Sequence, residues 1–317
     1  MKNLWITVLG GIILISGACS SGTKPSKKVV KPVKPKPVVV EQKIDHTRIA
    51  KLFVFPGGKM KAVIMSFDDG PDQDKRLIEI FNKYGIKGTF HLNSGKFAGK
   101  SKAALDTMKA YYSGHEVSVH TVSHPHLEFL SGDQVKKEIL DDQAKLESVF
   151  GYPVNGMSYP FGTYSQLVLD LLPSLSILYS RTVGMDTSFK LPKNLLAWDP
   201  TCHSGSADYW IKKFTGTNKN EMMLLFIWGH AWEFDNGDKD KNWAAIENIC
   251  AALAQEKDIW FASAMEAAEY IEAAQSVVEK NTGAVLTNVS PIVLWVKTPK
   301  GVVQLKPGKT LPNPSIE

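Results

Sequence analysis

The sequence has little of several features that mark particular classes of protein. Only 3 of its 317 residues are cysteines, so it lacks the framework of disulfides that holds small secreted domains together. Beyond residue 15, no stretch is long and apolar enough to cross a membrane. Basic and aromatic residues are not interleaved as in nucleic-acid-binding modules, and we therefore predict no nucleic-acid partner. The length is sufficient for one large α/β domain with an appendage.

Residues 1–19 have the pattern of a targeting signal. Lys2 precedes an apolar stretch, residues 4–15, that is too short to span a bilayer and is typical of a signal peptide. Small residues at 16–18 lead to Cys19 and resemble the lipobox of bacterial lipoproteins, although Ser16 stands where leucine is usual. We expect an extracytoplasmic protein, in the periplasm or at the cell surface, with a lipid on Cys19 anchoring it to the membrane. The alternative is ordinary signal cleavage and secretion.

Residues 20–45 form a linker rich in lysine and proline. This composition predicts an extended, semi-rigid spacer without a core of its own. Residues 1–43 carry eight lysines and one glutamate, a net charge of +7, whereas the whole chain carries +5, which leaves −2 for the rest. The basic character therefore belongs to the tether, where it favours an anionic membrane surface or cell-wall polymer.

Two adjacent carboxylates follow an apolar strand. Residues 62–65 are apolar, and Asp68 and Asp69 come just before a Gly-Pro turn. This pattern predicts a buried strand that delivers both acids to its carboxyl end. Neighbouring residues on a strand point in opposite directions, so one acid could bind a metal while the other remains free as a base. The alternative is a pair of solvated turn acids.

Two histidines follow a second predicted strand. Residues 116–120 alternate as a strand should, and His120 and His124 are separated by three residues. Pro125 biases His124 away from the helical region, which favours a loop at the strand end. Together with a carboxylate from a neighbouring strand, the imidazoles would form a two-histidine, one-carboxylate metal site with open coordination positions.

Residues 66–71, Ser-Phe-Asp-Asp-Gly-Pro, and residues 120–125, His-Thr-Val-Ser-His-Pro, resemble the polysaccharide deacetylases of carbohydrate esterase family four, the NodB-homology domain. The resemblance covers about residues 46–275. It implies a divalent metal held by Asp69, His120 and His124, with zinc favoured and cobalt, nickel or manganese as alternatives. It also implies that Asp68 is the catalytic base.

The order of the predicted elements agrees with the fold of that family. About seven strands alternate with helices, which favours an α/β barrel of parallel strands over an open sheet. The resemblance implies a distorted (β/α) barrel of seven or eight strands. We predict that residues 46–280 form this barrel and that residues 281–317 form a small β appendage that packs on it.

A third motif departs from the family pattern. Residues 158–162, Ser-Tyr-Pro-Phe-Gly, resemble the family's Arg-x-Pro-Tyr-Gly segment, which forms a wall of the substrate groove and here includes Tyr159. The resemblance implies that the backbone N–H of Phe161 stabilises an oxyanion. Ser158 replaces the arginine that orients the catalytic aspartate in the family. Arg181, from a neighbouring strand end, could substitute for it, or it could be purely structural.

Two later regions supply the remaining candidates. Trp198 and Asp199 match by type and order a tryptophan that lines the family's site and an aspartate that supports its catalytic histidine. His230 ends a hydrophobic strand and resembles the histidine of the family's Leu-x-His segment, the general acid. Trp232 lies beside it and could stack on a sugar ring.

The resemblance implies a metal-dependent hydrolase that removes N-acetyl groups from an amino-sugar polysaccharide, either peptidoglycan or a chitin-like oligosaccharide. One alternative is an esterase that removes O-acetyl groups from glycans with the same residues. Another is a catalytically weak relative that binds glycans, which Ser158 favours.

Overall fold

In the computed structural model of the chain, the described residues are 42–44, 46–70, 72–238, 241–280 and 283–315. The predicted signal segment, Cys19 and nearly all of the predicted linker lie outside the described residues. Two short strands, β1 (Gln42–Lys43) and β2 (Phe53–Val54), flank helix α1 (His46–Leu52) ahead of the central sheet.

Eight strands, all paired in parallel, form the central sheet. They are β3 (Lys61–Asp68), β4 (Gly88–Leu92), β5 (Glu116–Val119), β6 (Gly156–Ser158), β7 (Tyr179–Arg181), β8 (Cys202–His203), β9 (Met223–His230) and β10 (Ile259–Ala262). The strand order is β7-β6-β5-β4-β3-β9-β8. Strand β9 pairs along the whole of β3, while β10 pairs with the first half of β3 and β4 with its second half.

The segment between β7 and β8 joins the two edges of this sheet. The N–H of Trp198 donates to the carbonyl of Ser180, and its carbonyl accepts from the N–H of Thr182, both in or next to β7. Further along the same segment, β8 pairs with β9. The sheet is therefore a distorted barrel, as predicted.

Seven helices follow strands of the barrel or its connecting loops. They are α2 (Asp74–Tyr84), α3 (Lys102–Tyr111), α4 (Gly132–Phe150), α5 (Gln166–Leu171), α6 (Ala207–Gly216), α7 (Trp243–Ala254) and α8 (Ala264–Ser276). A capping box starts α4, with Ser131 and Gln134 bonding reciprocally. Gly85 ends α2 in the left-handed conformation. None of the helices in the described part of the chain has the length and apolar character that crossing a membrane requires.

The last strands form two antiparallel sheets with the strands that precede the barrel. They are β11 (Val278–Lys280), β12 (Val285–Thr287), β13 (Leu294–Thr298), β14 (Gly301–Leu305) and β15 (Thr310–Pro312). One sheet has the order β1-β11-β12-β15 and the other β14-β13-β2. The appendage thus combines residues that precede the barrel strands in the sequence with residues that follow them. Strands of two or three residues, such as β1, β8 and β11, are too short for alternation to reveal them in the sequence.

The barrel interior is polar toward the carboxyl ends of the strands, which we call the upper barrel. Alternate residues of β3 to β7 contact one another across the strands, and each is at most 3% exposed: Ser66, Asp68, Thr89, His91, Ser118, Ser158, Tyr179 and Arg181. The intervening residues of the same strands, such as Phe67 and Phe90, join the apolar layer under the helices. Period-two alternation therefore separates a polar interior from an apolar exterior.

We predict that Gly156→Ala destabilises the fold by about 1–3 kcal/mol, because a side chain at this position overpacks the barrel interior. A Cβ atom at 156 would lie 2.4 Å from the Tyr179 ring and 2.6 Å from Ser118 Oγ. Urea denaturation measures the change in the free energy of unfolding. The control is Gly216→Ala in α6, whose new Cβ meets no atom within 4 Å. Equal stability of the two variants would contradict the prediction.

Candidate metal centre and neighbouring groups

The carboxyl ends of the parallel strands bring the candidate residues together. Asp68 ends β3, Arg181 ends β7 and His230 ends β9, while His120 directly follows β5. In barrels of parallel strands this rim is where functional side chains gather. The sequence-predicted residues at these strand ends therefore share one side of the barrel.

Asp69, His120 and His124 form a cluster, which we call the metal cluster. Asp69 Oδ1 lies 3.8 Å from Nε2 of His120 and 3.8 Å from Nε2 of His124. The three ligand atoms all lie within 4.8 Å of one another. His230 Nε2 lies 3.9 Å from Asp69 Oδ2, and Trp232 Nε1–H donates to the same oxygen at 3.2 Å. The structure thus brings the predicted metal ligands together.

The backbone of the metal cluster is held in unusual conformations. Asp69, Thr121 and His124 have φ values of 74°, 68° and 58°, in the left-handed region that such residues rarely adopt. The side-chain amide of Asn93 donates to the carbonyls of His120 and Thr121, and the N–H of His124 donates to Thr121 Oγ1. The surrounding hydrogen bonds therefore fix the direction of the ligand side chains.

A buried carboxylate on α4 supports the same loop from below. Asp142 is fully buried and accepts hydrogen bonds from the backbone N–H groups of Ser94 and His120 at 2.7 and 3.0 Å. Burial raises the pKa of Asp142 to about 7, although these hydrogen bonds oppose the rise. Sequence reasoning missed this residue, because nothing in the helical pattern distinguishes it from a surface acid.

The tautomer of His120 suits a metal ligand. Its Nδ1 lies 3.0 Å from the carbonyl oxygen of Ser158, which can only accept, so Nδ1 carries the proton. The lone pair of Nε2 then faces Asp69 and His124. Burial lowers the pKa of His120 to about 4 against the opposing effect of Asp68, so the ring is neutral. A carboxylate and two imidazoles with such support fit zinc or a similar divalent ion.

Asp68 lies beside this cluster but has separate partners. Arg181 forms an ion pair with Oδ2, while Ser158 Oγ donates to Oδ1 at 3.2 Å and His91 Nδ1 lies 3.2 Å from Oδ1. Burial alone would raise the pKa of Asp68. The charge of Arg181, with the hydrogen bond from His91, outweighs burial and holds this pKa well below its ordinary value. Asp68 is therefore a buried carboxylate.

Arg181 occupies the position that the sequence suggested for a substitute arginine. It is fully buried, its Nη1 donates to the carbonyl of Thr182, and its guanidinium lies 4.9 Å from the Trp228 ring. Ser158, at the position of the family arginine, is its register partner on the neighbouring strand. The hydroxyl of Ser158 lies between Asp68 and His120 instead.

His230 belongs to a hydrogen-bonded triad with Glu233 and His203. His230 Nδ1 lies 3.0 Å from Glu233 Oε1, and His203 Nε2 lies 2.9 Å from Glu233 Oε2. The N–H of Gly205 donates to His203 Nδ1, so the proton of His203 is on Nε2 and points at Glu233. Their donor atoms are also close enough together for a metal, but these hydrogen bonds already occupy them.

The triad shifts the pKa values of its members in opposite directions. Burial raises the pKa of Glu233, but the hydrogen bonds from His203 and His230 outweigh it and lower that pKa to about 2. Burial lowers the pKa of His230, but the hydrogen bond to Glu233 and the charges of Asp68 and Asp69 outweigh it and raise that pKa. Glu233 therefore favours the protonated form of His230.

Two predicted aromatic residues lie at the mouth of the site. Phe161 is 49% exposed, has a φ of 58°, and its ring centroid lies 4.6 Å from that of His124. Trp232 is 43% exposed, and its ring centroid lies 5.0 Å from that of His230. Both rings can contact a molecule that approaches the metal cluster.

Three other predicted residues lie elsewhere. Trp198 is buried against Tyr179 and Phe226, because its backbone pairs with β7 and its ring joins the apolar cluster that contains both of them. Tyr159 is buried, and its hydroxyl donates to the carbonyl of Leu196. Asp199 is exposed and accepts from Thr182 Oγ1.

The prediction that Asp199 supports His230 is therefore corrected, because Glu233 occupies that place. Sequence reasoning missed Glu233. One signal was available: Glu233 lies three residues after His230, a spacing that brings side chains together in the turn of 3₁₀-helix at 231–236.

Residues 56–179 match the sequence model of a family described as polysaccharide deacetylase. A chitin deacetylase from Arthroderma benhamiae is 31% identical over 119 residues, and a peptidoglycan-N-acetylglucosamine deacetylase from Bacillus cereus is 29% identical over 116 residues. These segments are 36% and 35% of this chain. The chain covers only 31% and 40% of the two relatives' lengths.

The fold is similar to a crystal structure from Mycobacterium smegmatis of a protein assigned to the polysaccharide deacetylases. The TM-score is 0.52 at 17% sequence identity, and the match covers 71% of this chain and 94% of the other. At this identity the likeness concerns the fold alone, and it agrees with the predicted distorted (β/α) barrel.

We predict that Glu233→Gln moves the titration midpoint of His230 to lower pH, because the variant removes the negative partner of Nδ1–H. NMR titration of the histidine ring protons, in the metal-free chain, measures the midpoint. The control is Glu128→Gln, which removes the carboxylate 3.1 Å from His126 Nδ1 and leaves His230 untouched. An unchanged midpoint in Glu233→Gln would show that Glu233 does not set the charge of His230.

Proposed function

Because the chain carries a polysaccharide deacetylase domain, we propose that it is a metal-dependent hydrolase that removes N-acetyl groups from an amino-sugar polysaccharide of the cell envelope. One observation carries this proposal above all others. A buried carboxylate, Asp68, lies next to a separate metal cluster, and a histidine with a raised pKa, His230, lies 3.9 Å from the cluster's carboxylate. A base, a metal site and an acid are what hydrolysis of an amide requires.

The metal cluster defines the proposed cofactor. A divalent ion bound by Asp69, His120 and His124 would polarise the acetyl carbonyl and lower the pKa of a water molecule. Zinc is the favoured ion, and cobalt, nickel or manganese also suits a carboxylate with two imidazoles.

The residues around the cluster divide the proton transfers between them. Asp68, kept ionised by Arg181, accepts a proton from the water that attacks the carbonyl carbon. The backbone N–H of Phe161 stabilises the negative charge on the carbonyl oxygen, a role that rests on the resemblance of its motif. His230, kept protonated by Glu233, gives its proton to the sugar nitrogen as the C–N bond breaks. The products are acetate and a free amino sugar.

The proposed substrate follows from the mouth of the site and from the relatives. The exposed rings of Phe161 and Trp232 can pack against the apolar faces of sugars. The similar proteins are named for chitin and for peptidoglycan N-acetylglucosamine, which supports N-acetylglucosamine polymers as the first substrates to test. The ion pair of Asp68 with Arg181 supports an active enzyme over a relative that only binds glycans.

We predict that Asp68→Asn keeps the metal but lowers turnover by at least about a hundredfold, whereas Asp69→Ala loses both the metal and the activity. The assay is acetate release by the full chain with added zinc or cobalt. Its substrates are N-acetylglucosamine oligomers, peptidoglycan fragments and acetylated xylan, and metal content is measured in parallel. The control is Asp72→Asn, which changes an exposed acid near the same turn.

The possible outcomes are distinct. Full turnover by Asp68→Asn would exclude it as the base, and normal metal content in Asp69→Ala would refute its role as a ligand. If acetylated xylan were the only substrate that released acetate, the proposed activity would change from hydrolysis of an amide to hydrolysis of an ester. No release from any substrate by the metal-loaded wild type would overturn the proposed hydrolase.

We also propose that the protein is extracytoplasmic and is anchored to the membrane by a lipid on Cys19, on the basis of residues 1–19. We predict that Cys19→Ala moves the chain from the membrane fraction to the soluble fraction and abolishes labelling by radioactive palmitate, because the lipid on Cys19 then no longer contributes to membrane binding. The control is Cys250→Ala, which removes a buried thiol. Labelling that persists in Cys19→Ala would refute this anchor.

A further inference from the structure

A line of hydrogen bonds extends from Asp68 into the barrel. His91 Nδ1 lies 3.2 Å from Asp68 Oδ1, and His91 Nε2 lies 3.2 Å from the hydroxyl of Tyr179. The hydroxyl of Tyr179 in turn donates to Glu116 Oε1 at 2.7 Å. His91 and Tyr179 are fully buried. The proposed reaction gives no role to His91, Tyr179 or Glu116.

We propose that His91 is a positioning residue for Asp68: the Nδ1–H of His91 holds Asp68 Oδ1, and Tyr179 with Glu116 holds the imidazole in place. The proposal rests on the proposed function, because it assumes that Asp68 is the base. It adds a support for that base beside Arg181, which contacts the other carboxylate oxygen, and Ser158, whose hydroxyl donates to the same oxygen as His91.

The proton on Nδ1 follows from its neighbours. Asp68 forms an ion pair with Arg181, and an oxygen of such a carboxylate, here Oδ1, can only accept a hydrogen bond. An unprotonated Nδ1 would place its lone pair against that oxygen in a buried interior, where unmatched polar groups are costly. The other close neighbour of Nδ1 is Ser66 Oγ, at 3.3 Å, which can accept as well as donate. Nδ1 therefore donates to Asp68.

Glu116 fixes the far end of the line. Its Oε1 accepts from the hydroxyls of Tyr179 and Ser118, and its Oε2 accepts from Thr89 Oγ1 and from the N–H of Met265, each at 2.9 Å. All four neighbours are donors, so Glu116 is an immobile acceptor that orients the Tyr179 hydroxyl. The Tyr179 hydroxyl donates to Glu116 and its oxygen lies 3.2 Å from His91 Nε2, while the Nδ1–H of His91 points at Asp68 Oδ1.

The packing around Tyr179 leaves its ring little freedom. The space beside the ring exists only because residue 156 is glycine, and the ring of Trp198 contacts another face, with centroids 6.0 Å apart. His91 thus rests on a fixed support. With Oδ1 held by His91, Asp68 keeps Oδ2 on the side of the metal cluster, 4.0 Å from His120 Nε2. Rotation of the carboxylate away from the attacking water is thereby opposed.

The kinetic test compares three variants of the full chain in the acetate-release assay. We expect His91→Phe to lower kcat by about tenfold or more with KM and metal content unchanged, which corresponds to one lost hydrogen bond to the base. His91→Asn, whose amide N–H can replace Nδ1–H, should recover most of kcat. Tyr179→Phe should lower kcat by a smaller factor. The control is Tyr270→Phe, another buried tyrosine with two hydrogen bonds, which lies in the appendage interface.

Tyr270→Phe should retain the kcat of the wild type even where it lowers the thermal midpoint. A folded His91→Phe or Tyr179→Phe with kcat within twofold of the wild type would overturn the proposal. So would a His91→Asn variant no better than His91→Phe.

A second measurement separates this proposal from the proposed function. NMR of the chain containing ¹⁵N-labelled histidine reports which ring nitrogens of His91 carry protons. This measurement does not require turnover. We expect a protonated Nδ1 whose signal shifts in Asp68→Asn, and an unprotonated Nδ1 in the wild type would overturn the proposal. An inactive wild type with the expected His91 signal would refute the hydrolase but support the hydrogen bond of His91 to Asp68.

Discussion

The burial of Asp68 as a carboxylate is the constraint on which the upper barrel depends. A buried charge that loses its partner costs about 3–5 kcal/mol, so the fold must bring a cation to it. Arg181 does so from the end of β7, and its register partner Ser158 is small enough to leave the guanidinium room. The family motif has its arginine at the position of Ser158, on β6. In this chain the arginine is at the register partner of that position on the next strand, β7. The requirement for a buried cation is met by a different strand.

The same strand end gives its two adjacent acids different surroundings. Asp68 is the last residue of β3 and its side chain is 4% exposed, whereas Asp69 begins the turn and its side chain is 21% exposed. The positive φ of Asp69 turns the chain, so its carboxylate faces the imidazoles of His120 and His124 instead of the barrel interior. Strand alternation and one turn therefore separate a charge partner of Arg181 from a metal ligand.

The strand-end motifs were predictable from the sequence, but most of the residues that hydrogen-bond to them were not. Asp68 and Asp69 follow an apolar run and His120 follows an alternating one, so their place at the rim could be read from the sequence. The alternating polar residues of β4, which include His91, are also visible, but their partners come from distant strands. Asp199 was matched by type and order, and neither property fixes the direction of a side chain. Glu233 fills its place through a local turn that periodicity does not describe.

The two sides of the metal cluster are electrostatic opposites. Asp68 contacts the cationic Arg181 and the N–H of His91, and its pKa lies well below the ordinary value. His230 has a carboxylate behind it, Glu233, and its pKa is raised. Environments that push the pKa values of two neighbouring groups apart assign one as base and the other as acid. Each group is thus kept in the form that the proposed reaction needs before a substrate arrives, because its partner is fixed by the fold and not by the ligand.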